Sequence, residues 1–248
     1  KIMDRYGEKG HLFANVFPQV YPKPEKKTVD LTYHITEGNP YRVRHIAIVG
    51  NEKTRDYVIR REMRQDEQEQ VNKVLLNRSF QRIHNLNFFE KIDIVPQKVS
   101  EEEVDLNINL TEKSTGTFIL GGGYSSVDKF VGQMEVNQGN LFGRGQLLRA
   151  RIENGSRRTS YSLTFREPYL FDSTFSGQTD IFDQVRTFDR YKEKRLGGDL
   201  IVGKSIGEHL NVSTSYTTEI LEIFDVSVGA PQFVQSQAAL GETRTNAV

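Results

Sequence analysis

The chain is 248 residues long and sets 33 Lys and Arg against 33 Asp and Glu, so its formal charge is +0 and no global field recruits nucleic acid or an anionic surface. It contains no Cys, which excludes thiol catalysis, disulfides and thiolate metal sites. No run of about 18 apolar residues occurs, which excludes a transmembrane helix but not a transmembrane barrel, whose strands alternate and average out as polar.

Lys1 opens the chain without the basic and apolar regions of a secretory leader, so any such leader lies upstream or has been removed. The first organisational signal is self-similarity. Val29-Asp30-Leu31-Thr32-Tyr33-His34-Ile35-Thr36-Glu37 returns 75 residues later as Val104-Asp105-Leu106-Asn107-Ile108-Asn109-Leu110-Thr111-Glu112, with five of nine positions identical. Pro18-Gln19 likewise returns as Pro96-Gln97. A repeat of this size predicts an array of small domains, of which the first copy is cut at its N-terminus.

The complete copy reads as β-α-α-β-β in about 70 residues, near the lower size of an independent domain. Tyr41 to Val49 predicts a strand closing on the turn Gly50-Asn51. Within TRDYVIRREMRQ, Thr54 is the expected N-cap, and Val58, Ile59 and Met63 sit at helical spacing. Val71, Val74, Leu75, Ile83 and Leu86 predict a second helix. Ile92 and Ile94, then Leu106, Ile108 and Leu110, alternate with polar residues as two strands with one buried face each.

From Thr117 onward helical periodicity gives way to alternation. Phe130, Gly132, Met134 and Val136 oppose Val131, Gln133, Glu135 and Asn137; Leu148, Ala150 and Ile152 oppose Arg149, Arg151 and Glu153; Tyr161, Leu163 and Phe165 share one face. Further strands are predicted at 175–182, 196–202, 210–218 and 236–245. The result is about eight antiparallel strands of about 8 to 10 residues, enough to span an outer-membrane hydrocarbon band when tilted. A soluble β-sandwich shows the same alternation. Two details favour a barrel: the second face carries charges and amides, as a wet lumen would, and tight connections (139–145, 154–159) alternate with longer ones (183–191, 219–235), expected as extracellular loops.

Gly198 to Ser205, GDLIVGKS, matches the phosphate-loop pattern G-x-x-x-x-G-K-[ST]. Its interior, Asp199-Leu200-Ile201-Val202, reads as strand, and Ile206-Gly207-Glu208-His209-Leu210 contains a turn where a phosphate site needs a helix N-terminus. No nucleotide is therefore expected. His11, His34, His45, His84 and His209 lack metal-ligand spacing, and neither a G-x-S-x-G motif nor a paired-carboxylate arrangement occurs, so no cofactor, no metal and no enzymatic activity are expected.

REMRQ in the first helix (Arg61 to Gln65), NFFEKIDI (Asn87 to Ile94), VDLNINLTEKSTGTFILGGGYSS (Val104 to Ser126), QGNLFGRG (Gln138 to Gly145) and EPYLF (Glu167 to Phe171), in this order, resemble the Omp85 superfamily over essentially the whole chain. The resemblance implies α+β POTRA repeats followed by an antiparallel transmembrane β-barrel: residues 1–38 as the C-terminal part of one POTRA domain, 39–114 as the last POTRA domain, and 115–248 as the N-terminal half of a barrel, about eight of sixteen strands. Half a barrel leaves its last strand unpaired in lipid, so either further residues or another chain completes the wall.

The function it implies is outer-membrane β-barrel assembly and insertion, in the bacterial outer membrane with periplasmic POTRA domains. The implied partners are accessory outer-membrane lipoproteins of a BAM-type complex, unfolded outer-membrane protein clients and the lipid bilayer, with no nucleic acid and no nucleotide. A secretion or translocation pore of the same superfamily, of the two-partner or TamA-like kind, is the alternative.

Thr117, Phe118, Ile119, Leu120, Gly121, Gly122, Gly123 and Tyr124 form the first barrel strand. Three consecutive glycines remove side-chain packing and raise backbone freedom, which predicts a weakly paired seam; the alternative is a corner or bulge. The resemblance makes this seam a lateral gate whose freed edge templates a client strand by main-chain hydrogen bonds, without ATP. It also assigns lipoprotein docking to Arg60, Arg61, Glu62, Arg64 and Glu67, which without it read as a solvated helix face with i, i+3 and i+4 ion pairs. The edge of the strand from Lys91 to Lys98 is a second expected client dock.

Overall fold

The computed structural model describes residues 2–126, 129–207 and 210–247, and the chain divides into two compact units, Lys1–Lys113 and Ser114–Val248. Glu208 and His209, expected in a turn, lie outside the described residues.

The first unit opens with α1 (Ile2–Glu8) and the antiparallel hairpin β1 (Asn15–Lys23) and β2 (Thr28–Thr36). The full repeat follows as β3 (Arg42–Val49), α2 (Asp56–Arg60), α3 (Lys73–Asn85), β4 (Phe89–Lys98) and β5 (Glu103–Glu112), the expected β-α-α-β-β order. Its sheet runs β3-β5-β4, with β3 parallel and β4 antiparallel to β5. Period-two alternation turns Val104, Leu106, Ile108 and Leu110 inward against Val58, Ile59, Leu76 and Ile83 of the helices. Burial of such side chains, about 1.5–3 kcal/mol each, drives the docking of helices on sheet.

The repeated sequence falls on β2 and β5, and its shared Asp and Glu residues each find a partner, though not the same one in the two copies. Asp30 pairs with Lys23 and Asp105 with Arg44, each carboxylate bridging to a neighbouring strand. The terminal glutamates tie their strands to the preceding elements: Glu37 accepts a hydrogen bond from the Tyr6 hydroxyl at 2.8 Å, and Glu112 accepts from the N–H groups of Lys53 (2.9 Å) and Thr54 (2.6 Å).

The structure corrects both ends of the first helix. Thr54 does not cap it; α2 begins at Asp56 behind Arg55, and the Thr54 amide is bonded to Glu112 instead. The helix also ends at Arg60, so Arg61 to Gln65 lie beyond it. Glu62 and Met63 donate to the carbonyls three residues back, which tightens the last turn. Gln65 then replaces helix bonds with side-chain ones: its amide donates to the Gln70 carbonyl at 3.1 Å and accepts from the Asn72 N–H at 2.8 Å. The second helix is capped by Asn72, whose Oδ1 accepts from Val74 and Leu75; Val71 and Leu86 flank it.

The second unit is an antiparallel sheet of eight strands: β6 (Gly116–Ser125), β7 (Lys129–Leu141), β8 (Gln146–Gly155), β9 (Arg158–Glu167), β10 (Phe175–Thr187), β11 (Lys192–Ile206), β12 (Leu210–Phe224) and β13 (Thr243–Ala247). Each pairs with its neighbours in sequence, so β6 and β13 terminate the sheet. The register aligns Leu120, Met134, Ile152 and Tyr161 in one row of the apolar face, and Glu135 beside Arg151 on the polar one.

Three strands are longer than predicted, because alternation continues past the charged positions that read as loop. The connection at 183–191 shrinks to 188–191, where Phe188 and Tyr191 stack at 4.5 Å across the turn. The long connection expected at 219–235 starts only after Phe224. Of the strand predicted at 236–245, only the last residues are strand; Gln232–Leu240 is a helix, α4, with three Gln and two Ala among its nine residues and starting just after Pro231. The tight connections at 142–145 and 156–157 fall at opposite ends of the sheet, as successive antiparallel strands require.

GDLIVGKS lies wholly within β11, laddered to β10 and β12. A Cβ on Gly198 would come 2.8 Å from the Asp180 carbonyl, and one on Gly197 2.6 Å from that of Thr218. These glycines allow close approach of neighbouring strands.

Candidate functional site

Two places gather the expected functional residues. The first is the terminal strand β6, which among the described residues pairs only with β7. Gly121, Gly122 and Gly123 face Gln133, Gly132 and Val131 in a ladder that runs from Gly116 to Ser125 without a register shift, so the glycines form no bulge. On the apolar face Phe118, Leu120 and Tyr124 project outward, and the Tyr124 ring meets Phe130 edge-on at 5.1 Å. Between Leu120 and Tyr124 the outward position is Gly122, opposite Gly132, leaving a gap in the side-chain cover.

The polar face behind β6 is ordered by ion pairs. Arg149 meets Glu135 at 3.5 Å; Arg151 donates to Gln133 Oε1 at 3.1 Å and to Glu153 at 3.4 Å, and Glu153 also receives Arg158 at 3.7 Å. A Cβ on Gly121 would come 3.1 Å from Gln133 Nε2, one on Gly122 would meet only the Val131 carbonyl at 3.5 Å, and one on Gly123 would meet nothing within 4 Å.

The second place is a charged cluster on the complete repeat. Glu67 Oε1 receives the Ile46 N–H at 2.9 Å, His45 Nδ1 at 3.0 Å and, at 3.7 Å, Arg60 Nη1. Arg60 in turn bonds Asp56 at 3.0 Å, the i, i+4 pair expected of a helix face. The Arg60 and Glu67 side chains retain 44% and 37% exposure. The other three expected docking residues sit differently. Glu62 is buried and paired with Arg82 at 2.6 Å. Arg61 lies 5.7 Å from the Tyr57 ring centre, and Arg64 donates its backbone N–H to Ser79 Oγ at 2.8 Å; both are half-buried. REMRQ thus shapes the repeat from within, while Arg60 and Glu67 face out.

Sequence reasoning missed His45, Asp56 and Arg82. His45 faces outward because the β3–β5 register shifts between Val43 and His45, a bulge with no local sequence signal. It also missed Gln133, whose relation to Gly121 exists only once β7 is paired with β6.

Beside the cluster, Arg44 grips Asp105 with two bonds, 2.9 and 2.5 Å, and holds its carboxyl below the usual carboxylate range. For Glu112, burial pushes the carboxyl up, but the Thr54 hydroxyl and the Thr54 and Lys53 amides outweigh it and hold it below its ordinary value.

A family model described as a surface antigen variable number repeat, POTRA, matches residues 1–38 and 41–113, and one described as the Omp85 superfamily domain matches 140–247. The chain belongs to the Omp85 superfamily. It is 35% identical over 240 residues to the outer membrane protein assembly factor BamA of Neorickettsia risticii, covering 96% of this chain and 32% of that protein. It is 32% identical over 232 residues to the protein of the same name from Neisseria meningitidis serogroup B, covering 90% and 29%. The chain therefore spans about a third of the length of the curated relatives it matches. The crystal structure of BamA from Haemophilus ducreyi lacking POTRA domains 1-3 matches it with a TM-score of 0.74 at 26% identity, over 89% of this chain and 43% of that one. In keeping with these BamA relatives, it is a protein of the bacterial outer membrane, with its POTRA repeats in the periplasm.

Proposed function

We propose that the chain is part of an outer-membrane protein assembly factor in which β6 is the templating edge of a lateral gate. The observation that carries this reading is the glycine run in β6, the first strand of the sheet: without side chains at 121–123 to pack on its neighbours, its backbone pairing is loosened and its N–H and C=O groups can pass to an added strand. Main-chain pairing is indifferent to sequence, which suits many clients. Apolar burial in lipid and completed backbone pairing supply the driving force once the seam parts, so no ATP is required. The relatives named as assembly factors support the reading.

Arg60 and Glu67 form the outward part of a docking face for an accessory lipoprotein. Arg offers a planar fork to carboxylates, and Glu67 offers its second oxygen to a cation.

Disulfide trapping in the complete protein, which needs no background cysteines removed from this part, tests the gate. Single cysteines along 117–124 should crosslink to a client's terminal strand in a register-dependent way during assembly. Crosslinks only to the protein's own last strand would mean a closed wall and refute the templating role.

A further inference from the structure

Gln133 stands out on the polar face because it reaches across a neighbour that has no side chain. It sits on β7 directly opposite Gly121 of β6, and its amide occupies the space a Gly121 side chain would fill: a Cβ there would lie 3.1 Å from Nε2 and 3.3 Å from Cγ. The amide is also oriented. Arg151 only donates, and it takes Oε1 at 3.1 Å, so the oxygen faces β8 and the NH2 group faces Gly121 and the sheet edge beyond it. Arg151 is fixed in turn by Glu153, which Arg158 also holds. The chain Arg158–Glu153–Arg151–Gln133 therefore crosses from β9 to the edge and ends in a hydrogen-bond donor.

We infer that Gln133 is a specificity-determining residue that donates, over Gly121, to a polar side chain on the lumen face of the strand that adds to β6. The inference rests on the templating role proposed for that edge. An added strand lies about 4.8 Å beyond β6, and its residue opposite Gly121 points to the same face as Gln133. Any side chain at Gly121 would stand between the two. The matching client residue is an acceptor of moderate length: Asn, Gln, Asp or Glu. Backbone pairing alone binds a strand in several registers, and a two-residue slip keeps the same face; one side-chain bond at a fixed position distinguishes those registers.

The test uses the full-length protein in liposomes, assembling a client whose terminal strand carries Asp, which only accepts, at the position opposite Gly121, and the same client with Ala there. Gln133→Glu is the informative variant, since it keeps the shape and the Arg151 contact but removes the donor; Gln133→Ala is the second. Crosslinks between β6 cysteines and the client report the register. For the Asp client, both variants should lower the in-register crosslink yield about tenfold and shift crosslinks by two residues, the effect of one hydrogen bond to a charged group. For the Ala client, the variants should match the unsubstituted protein. An equal loss with both clients would mean that Gln133 only supports the sheet, and no loss with either would mean that it reads nothing; each overturns the inference while leaving templating intact. Absence of any β6–client crosslink in the unsubstituted protein would overturn the templating role itself.

Discussion

Among single residues, Glu112 connects most of the physical chemistry of the repeat. Its carboxylate receives two backbone amides of the β3–α2 connection, and those bonds hold its pKa below the ordinary glutamate value against the opposing effect of burial. A carboxyl depressed in the folded state contributes stability that is fully present above its unfolded pKa and is lost as pH falls through the folded one. Glu112→Gln should therefore destabilise the repeat at neutral pH by about 1–2 kcal/mol, a figure discounted for its partial exposure. The difference from the unsubstituted chain should shrink as pH falls from about 5 to about 3. Urea unfolding followed by a fluorophore in the repeat measures both; a pH-independent difference would contradict the ionised clamp. That Glu112 closes the repeated segment was legible from its match to Glu37, but its target was not. The Thr54 hydroxyl reads locally as a cap, and only the fold brings β5 to within bonding distance of it.

At the scale of elements, the strands were the most legible part, because a period of two states directly which residues share a face. Helix and strand ends were not, since groups far along the chain set them. The first helix stops where Gln65 begins bonding to residues 70 and 72, and β10 continues through polar residues because β9 and β11 remain alongside. Residues 236–240 alternate too weakly to distinguish a strand from the helix they form. For β6, the regular ladder with few side-chain contacts at Gly122 and Gly123 gives a definite expectation. In the complete protein in a bilayer, amide exchange in β6 should be roughly tenfold faster than in β8, which is paired on both sides and tied by Arg149 and Arg151. Equal protection would argue against a weak seam.

At the scale of the whole molecule, the two kinds of architecture were legible as a change from mixed periodicity to alternation after Glu112, and the family motifs gave the rest. The docking cluster was only partly legible. Arg60 and Glu67 are brought together through β3, at Ile46, and the sequence gives no sign that Glu62 turns inward to Arg82. The outward pair makes the prediction: Arg60→Glu or Glu67→Lys should weaken association of the complete protein with accessory lipoproteins about tenfold, measured as binding of the purified components. Lys91→Glu, on a different part of the repeat, is the control and should bind as the unsubstituted protein does. Unchanged association in the Arg60 and Glu67 variants would remove this face from the interaction.

The shared glutamate at the end of β2 and of β5 also matters to anyone who would splice such repeats. In each copy the last strand is fastened backwards, to Tyr6 in one and to residues 53 and 54 in the other. A repeat is thus closed by its own final side chain. Chimeras cut just after the glutamate carry their fastening with them, whereas a cut a few residues earlier leaves the Tyr6 hydroxyl in one copy, or the Lys53 and Thr54 amides in the other, without its acceptor and loosens the module at its last strand.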